Sequence, residues 1–173
     1  ISEEAAQRSI TLIAASKTFN VAGLFVGFAI IQNKEIRQKF VKESEKMTLH
    51  TNSLGHIASE IGFSGVCDDW LEELLLYLAE NRDFLVDYVK ENFPGVRITN
   101  PESTFLAWLD FSELIEQGKV TTPLQDFFIE RGKVAFNEGT TFGPGGEGFI
   151  RLNFGCPRET LIEGLERMKV ALE

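Results

Sequence analysis

Three features of the chain predict an α/β fold with a smaller α+β lobe after a long helix. The first is an apolar run, Ile10-Thr11-Leu12-Ile13-Ala14-Ala15, rich in β-branched residues and bounded by polar ones. It has the composition of a buried strand in a parallel sheet. The second is a segment from about Asp69 to Phe93 in which Leu71, Leu74, Leu75, Leu78, Leu85, Val89 and Phe93 form one apolar face. The third is the alternation of short strand patterns with helical ones after Pro94-Gly95.

In order along the chain, Ser2 to Arg8 is polar and reads as the end of a helix. The strand at 10–15 follows. Leu24-Phe25-Val26-Gly27-Phe28-Ala29-Ile30-Ile31 is a second buried-strand candidate, with Gly23 and Gly27 permitting close packing. Asn33 is placed to cap a helix running through Met47, with Ile36, Phe40 and Met47 as its apolar stripe. Between Thr48 and Gly65, Ala58, Ile61 and Gly62 suggest a short helix. The long helix opens with Asp69 and Glu72 at capping-box spacing and stops at Pro94-Gly95; its roughly 25 residues would span ~37 Å. The domain boundary is placed at its end, dividing 1–93 from 94–173.

In the second part, Thr104 to Phe111 reads as a strand, and Thr122-Pro123-Leu124 begins a helix ending near Arg131-Gly132. Val134-Ala135-Phe136 and Phe149 to Phe154 read as strands joined by a glycine-rich loop. Pro157 opens a closing amphipathic helix with Leu161, Ile162, Leu165, Met168 and Leu172 inside. The loop Gly143-Pro144-Gly145-Gly146-Glu147-Gly148 joins strand to strand, not strand to helix, so it lacks the context of a phosphate cradle and reads as a flexible hairpin loop.

Composition bounds the function. The 173 residues suffice for a real core, and 43% apolar with 25% charged residues is ordinary for a globular chain. The net charge of −9 argues against nucleic acid and anionic membranes as partners. No apolar stretch is long enough to span a bilayer. Two cysteines, Cys67 and Cys156, do not make a disulfide scaffold and suit reduced thiols in a cytoplasm. His50 and His56 are six apart and share no helix face, so no metal site is expected.

Two residues carry chemical promise. Lys17 falls just past the strand at 10–15, at the sheet edge where ligands bind in open α/β folds, and no acid lies between Thr11 and Gln32. A lysine desolvated there would offer a free amine for Schiff-base chemistry; an exposed lysine in a turn is the plainer alternative. In Phe149-Ile150-Arg151-Leu152-Asn153-Phe154, alternation puts Ile150, Leu152 and Phe154 on one face and Arg151 with Asn153 on the other. A guanidinium there can clamp a carboxylate bidentately, or simply face solvent.

Ser16-Lys17-Thr18-Phe19-Asn20-Val21-Ala22-Gly23-Leu24 resembles the cofactor-lysine signature of pyridoxal-phosphate (PLP) enzymes of aminotransferase class I/II, and within them the cystathionine β-lyase (MalY/PatB-type) branch. Asp69-Trp70-Leu71-Glu72-Glu73-Leu74-Leu75, Ser103 to Asp110, and Gly148 to Arg158 resemble further blocks of that branch in the same order. The resemblance implies the C-terminal portion of a PLP-dependent transferase-like fold: the end of the large-domain sheet, a long linking helix and a small α+β domain. It implies a Schiff base of PLP with Lys17, a substrate carboxylate on Arg151, and Ser16 on the cofactor phosphate or capping the turn. Related aminotransferases carry a hydroxyl and an arginine where this chain has Ala14 and Phe25. The activity implied is β-elimination from cystathionine or cysteine-like thioethers, with amino transfer or a non-catalytic scaffold or regulatory role as alternatives. The full-length enzyme would be a cytoplasmic homodimer, and this stretch alone inactive, because the rest of the cofactor cradle lies upstream.

Overall fold

The computed structural model describes residues 2–47 and 50–173, and the chain divides into two compact units, Ile1–Glu73 and Leu74–Glu173. Thr48 and Leu49, inside the stretch expected to hold a short helix, lie outside the described residues.

The first unit begins with helix α1 (Glu3–Gln7), which starts here and does not merely end, because the Ser2 hydroxyl accepts from the Ala5 amide at its N-cap. Strands β1 (Thr11–Ile13) and β2 (Phe28–Ile30) form an antiparallel ladder pairing Leu12 with Ala29. This corrects the expectation of a buried strand in a parallel sheet. Leu12 is 72% exposed, and no further strand of the chain flanks the pair among the described residues. Composition reports what a strand would bury, whereas pairing direction depends on which strands are beside it. The second apolar run is likewise shorter and more open than expected, because Ala22–Leu24 coils into a 3₁₀ turn closed by Phe25 at φ 51°.

Asn33 caps helix α2 (Lys34–Lys46), its side-chain oxygen accepting from the Glu35 and Ile36 amides. Asn52 caps α3 (Ser53–Phe63) in the same manner. The expected apolar stripe of α2 is real in sequence but uncovered, for no α2 residue is buried.

Helix α4 (Asp68–Asn92) is the long helix, 25 residues, and it crosses the division between the units. It starts one residue before the expected position, so Asp69 sits within the first turn and is not the cap. Acids there favour the positive helix end.

The second unit is a four-stranded antiparallel sheet in the order β3-β4-β6-β5, comprising β3 (Arg97–Ile98), β4 (Leu106–Asp110), β5 (Asn137–Glu138) and β6 (Phe149–Asn153). Helices α5 (Ser112–Glu116), α6 (Leu124–Gly132) and α7 (Arg158–Leu172) complete it. Ile150, Leu152 and Phe154 are buried with Leu85, Val89, Phe128, Leu165 and Met168, as alternation predicted. β5 begins at Asn137, not in Val134-Ala135-Phe136, because Lys133 first closes α6 in a left-handed conformation. β3 and α5 were not foreseen; each is too short to show periodicity.

Two polar devices lock this unit. Asn81 is wholly buried, donating from Nδ2 to the carbonyls of Phe154 (3.1 Å) and Cys156 (2.9 Å) while its Oδ1 accepts from Arg158 Nε (2.7 Å). Asp110 ends β4; burial pushes its carboxyl up, but bonds from Ser112 and the Arg97 guanidinium outweigh this and hold it below its ordinary value.

Candidate active site

In the first unit, Ser16 to Asn20 form a turn directly after β1. The Phe19 amide donates to the Ala15 carbonyl and the Val21 amide to the Ser16 carbonyl, both at 3.0 Å. Asn20 takes φ 54°, a conformation asparagine tolerates better than most residues, which supports its reading as a turn former. Phe19 anchors the turn: its ring stands edge-on to Phe63 at 6.3 Å and stacks on Trp70 at 6.5 Å. A Cβ built on Gly62 would lie 2.7 Å from that ring, so only glycine lets α3 approach so closely.

Lys17 is thus held at the end of β1 by a turn fixed from beneath. Its side chain is exposed, so this unit does not itself supply the desolvation that the sequence expectation invoked. Among the described residues no ion pair includes Lys17. Ser16 is half-buried beside it.

Arg151 belongs to the second unit, where its half-buried side chain lies on the sheet face opposite the core. The register pairs it with Trp108 of β4 on one side and Asn137 of β5 on the other. Nη2 donates to Asn137 Oδ1 at 2.8 Å, and the guanidinium carbon lies 4.6 Å from the centroid of the Phe142 ring. Nε is buried with no partner, and Nη1 makes no hydrogen bond among the described residues. An unsatisfied buried donor is costly, and a group that persists so calls for an explanation. An acceptor with two oxygens, such as a carboxylate, is the partner that guanidinium geometry fits best.

A cleft of about 470 Å³ opens beside Arg151, lined also by Asn137, Asn153, Cys156 and Thr160. Burial pushes the Cys156 thiol up, which disfavours the thiolate form. No group of three or more potential metal-ligating side chains comes together among the described residues.

Ser16 and Lys17 therefore share one turn of the first unit, and Arg151 stands in the second. Sequence reasoning did not find Asn137 as a partner of Arg151. The β5 register makes them neighbours, and the strand had been expected three residues earlier.

The chain thus carries a lysine-bearing turn after a strand, a 25-residue helix, and an α+β lobe with an arginine on its open sheet face. The chain belongs to the aminotransferase class I and II family, matching it over residues 2–168. Among individual relatives, it is 38% identical to cystathionine beta-lyase PatB of Bacillus subtilis (strain 168), covering 99% of this chain and 44% of that protein. It is 34% identical to protein MalY of Escherichia coli (strain K12), over 89% of this chain and 39% of that one. Its structure is similar to that of a PLP-bound putative aminotransferase from Clostridium difficile 630, with a TM-score of 0.91 and 36% identity, covering 99% of this chain and 44% of that chain. The α/β fold is therefore that of this family, and the chain spans less than half the length of these relatives.

Proposed function

We propose that the whole protein is a PLP-dependent C–S β-lyase acting on cystathionine or cysteine-like thioethers. The observation that carries the reading is the exposed Lys17 amine at the end of β1, in no ion pair among the described residues, in a chain 38% identical to a protein named cystathionine beta-lyase. The donor set fits the cofactor: a primary amine without a competing carboxylate can hold an aldehyde covalently, and the Ser16 hydroxyl beside it can bond a phosphate oxygen. When bound, PLP supplies the electron sink that lets an amino acid lose its α-proton.

This chain's own residues do the rest. Arg151 takes the substrate α-carboxylate on the Nη1–Nη2 edge of its guanidinium, through Nη1 and one hydrogen of Nη2, while the other Nη2 hydrogen bonds Asn137. That two-point grip fixes how the substrate Cα is presented. Lys17 Nζ, at the end of β1, would accept the proton from Cα as general base. Loss of a thiolate from the adjacent carbon, which takes up a proton as a thiol, would leave an aminoacrylate that water hydrolyses to pyruvate and ammonia. Residues 1–93 form part of the cofactor-binding domain in this reading, and 94–173 the small domain.

Amino transfer is the second reading, favoured by 28% identity to an aspartate aminotransferase of Pyrococcus horikoshii. The reading extends to a homodimer in the cytoplasm, with the free thiols of Cys67 and Cys156 in support. The net charge of −9 disfavours nucleic acid, and no described helix is long and apolar enough to cross a membrane.

The test uses the whole protein. It is incubated with PLP, reduced with borohydride and mapped by peptide mass, and L-cystathionine turnover is assayed for pyruvate against amino transfer to a keto acid. The expected result is a pyridoxyl label on Lys17, absent from Lys17→Ala, together with pyruvate release. Label with amino transfer alone selects the second reading, and no label on Lys17 overturns both.

A further inference from the structure

We infer that Phe142 is a positioning residue for Arg151, holding the guanidinium plane in the orientation that accepts a carboxylate. The inference rests on the reading of Arg151 as the carboxylate clamp and assigns a role to a residue outside that reading. Phe142 is half exposed, an unfavourable placement for a ring that merely fills a core. Its face lies 4.6 Å beneath the Arg151 guanidinium carbon, within cation–π range. Trp108 stands edge-on to the same ring at 5.6 Å and is itself stacked on Phe149 at 5.4 Å. Three aromatic rings thus form a continuous group beside the Arg151 guanidinium.

The segment that carries Phe142 is folded, not the flexible hairpin loop expected from its glycines. Gly139–Phe142 makes a 3₁₀ turn, and the Thr141 hydroxyl donates back to the Glu138 carbonyl at 2.6 Å. Amide-to-carbonyl bonds from Gly143 to Thr140, Gly146 to Gly143 and Phe149 to Gly146 close the rest. Gly139 and Gly146 touch so closely that a Cβ on Gly146 would lie 2.1 Å from the Gly139 carbonyl oxygen. Only glycine at both positions permits that approach. The glycine-rich stretch therefore sets the place of the Phe142 ring.

A guanidinium has one hydrogen bond to Asn137 and could still swing about it. The ring removes that freedom by favouring the stacked orientation, which fixes the direction in which the Nη1–Nη2 edge faces. Orientation of this kind affects binding of a planar two-oxygen acceptor and has little effect on a ligand that lacks one.

The test measures binding by titration calorimetry on the PLP-loaded whole protein. The probes are L-norvaline and L-norvalinamide, which differ only in the carboxylate and have no leaving group on the β-carbon. In Phe142→Leu the affinity for L-norvaline is expected to fall about three- to fivefold, the range of an exposed to partly covered cation–π contact, with L-norvalinamide unchanged. Phe142→Tyr retains the ring face and should restore the wild-type ratio. In turnover of L-cystathionine, Phe142→Leu should raise KM by a similar factor with kcat within about twofold. A Phe142→Leu protein with an unchanged ratio, or with both probes weakened equally, would overturn the inference while leaving the clamp intact. Arg151→Ala serves as the separate check: it should bring the two affinities together, and a preserved ratio there would sink the clamp itself.

Discussion

Replacing Asn81 with leucine should loosen the second unit by about 2–3 kcal/mol. The side chain is fully buried and makes three hydrogen bonds, two given to the Phe154 and Cys156 carbonyls and one received from Arg158 Nε. Leucine has a similar shape and makes none of them. Each buried group left without a partner costs about 1–3 kcal/mol. The Phe154 carbonyl bears that cost in full, because its bond lies wholly inside, whereas the Cys156 carbonyl and Arg158 Nε are part-buried and regain some water. Gain from the added apolar surface returns on the order of 1 kcal/mol. The assay is native-state hydrogen exchange on peptides covering β4 and β6 in the whole protein, since a single melting curve would mix the two units. Exchange there should accelerate roughly 30- to 150-fold. Asn81→Asp keeps the bond from Arg158 but turns a carboxylate oxygen toward two carbonyls, so protection should fall at least as far. Acceleration of less than about threefold in Asn81→Leu would show that these bonds do not hold the unit together, and the reasoning would fail.

Two further outcomes are expected. Gly62→Ala should destabilise the first unit by about 1–3 kcal/mol despite alanine's better helix propensity, because the new methyl meets the Phe19 ring at 2.7 Å and that ring is already held by Phe63 and Trp70; exchange in α3 that is unchanged or slower would contradict this. Tyr88, whose hydroxyl donates to Glu166 at 2.7 Å, is pushed up to about 12 by burial, by that bond and by the Glu166 charge. A group whose folded value is raised stabilises below its ordinary value of 10.0 and loses that contribution as pH climbs toward 12. Wild type should therefore lose stability relative to Tyr88→Phe across that window, measured by urea unfolding at stepped pH, and parallel curves would refute the link.

Much of this protein is legible in its residues because the signals are local. Asn33 caps a helix through its own side chain, whatever lies elsewhere. The 25-residue helix repeats its apolar face for seven turns, long enough for the 3.6-residue period to be unmistakable. Strict alternation in β6 put Ile150, Leu152 and Phe154 inside and left Arg151 on the open face. The turn after β1 was announced by its own wording, Ser16 to Asn20, and Lys17 with it.

Tertiary structure decided what depends on residues distant in sequence. β1 has the composition of a buried parallel strand, yet here it lies exposed in an antiparallel pair, because direction and cover come from neighbouring strands. Asn137 became the partner of Arg151 only through the β5–β6 register, and Phe142 came beneath the guanidinium only through the Gly139–Gly146 contact. Nothing in the spacing of Asn81 indicates that it would meet Phe154 and Arg158, over seventy positions away. The sequence by itself named the long and closing helices, the inward face of β6 and the two residues of chemical promise, since each follows from a periodicity or a motif a few residues long. The long-range fold chose their partners, because a hydrogen bond or an aromatic contact is set by which surfaces meet in space.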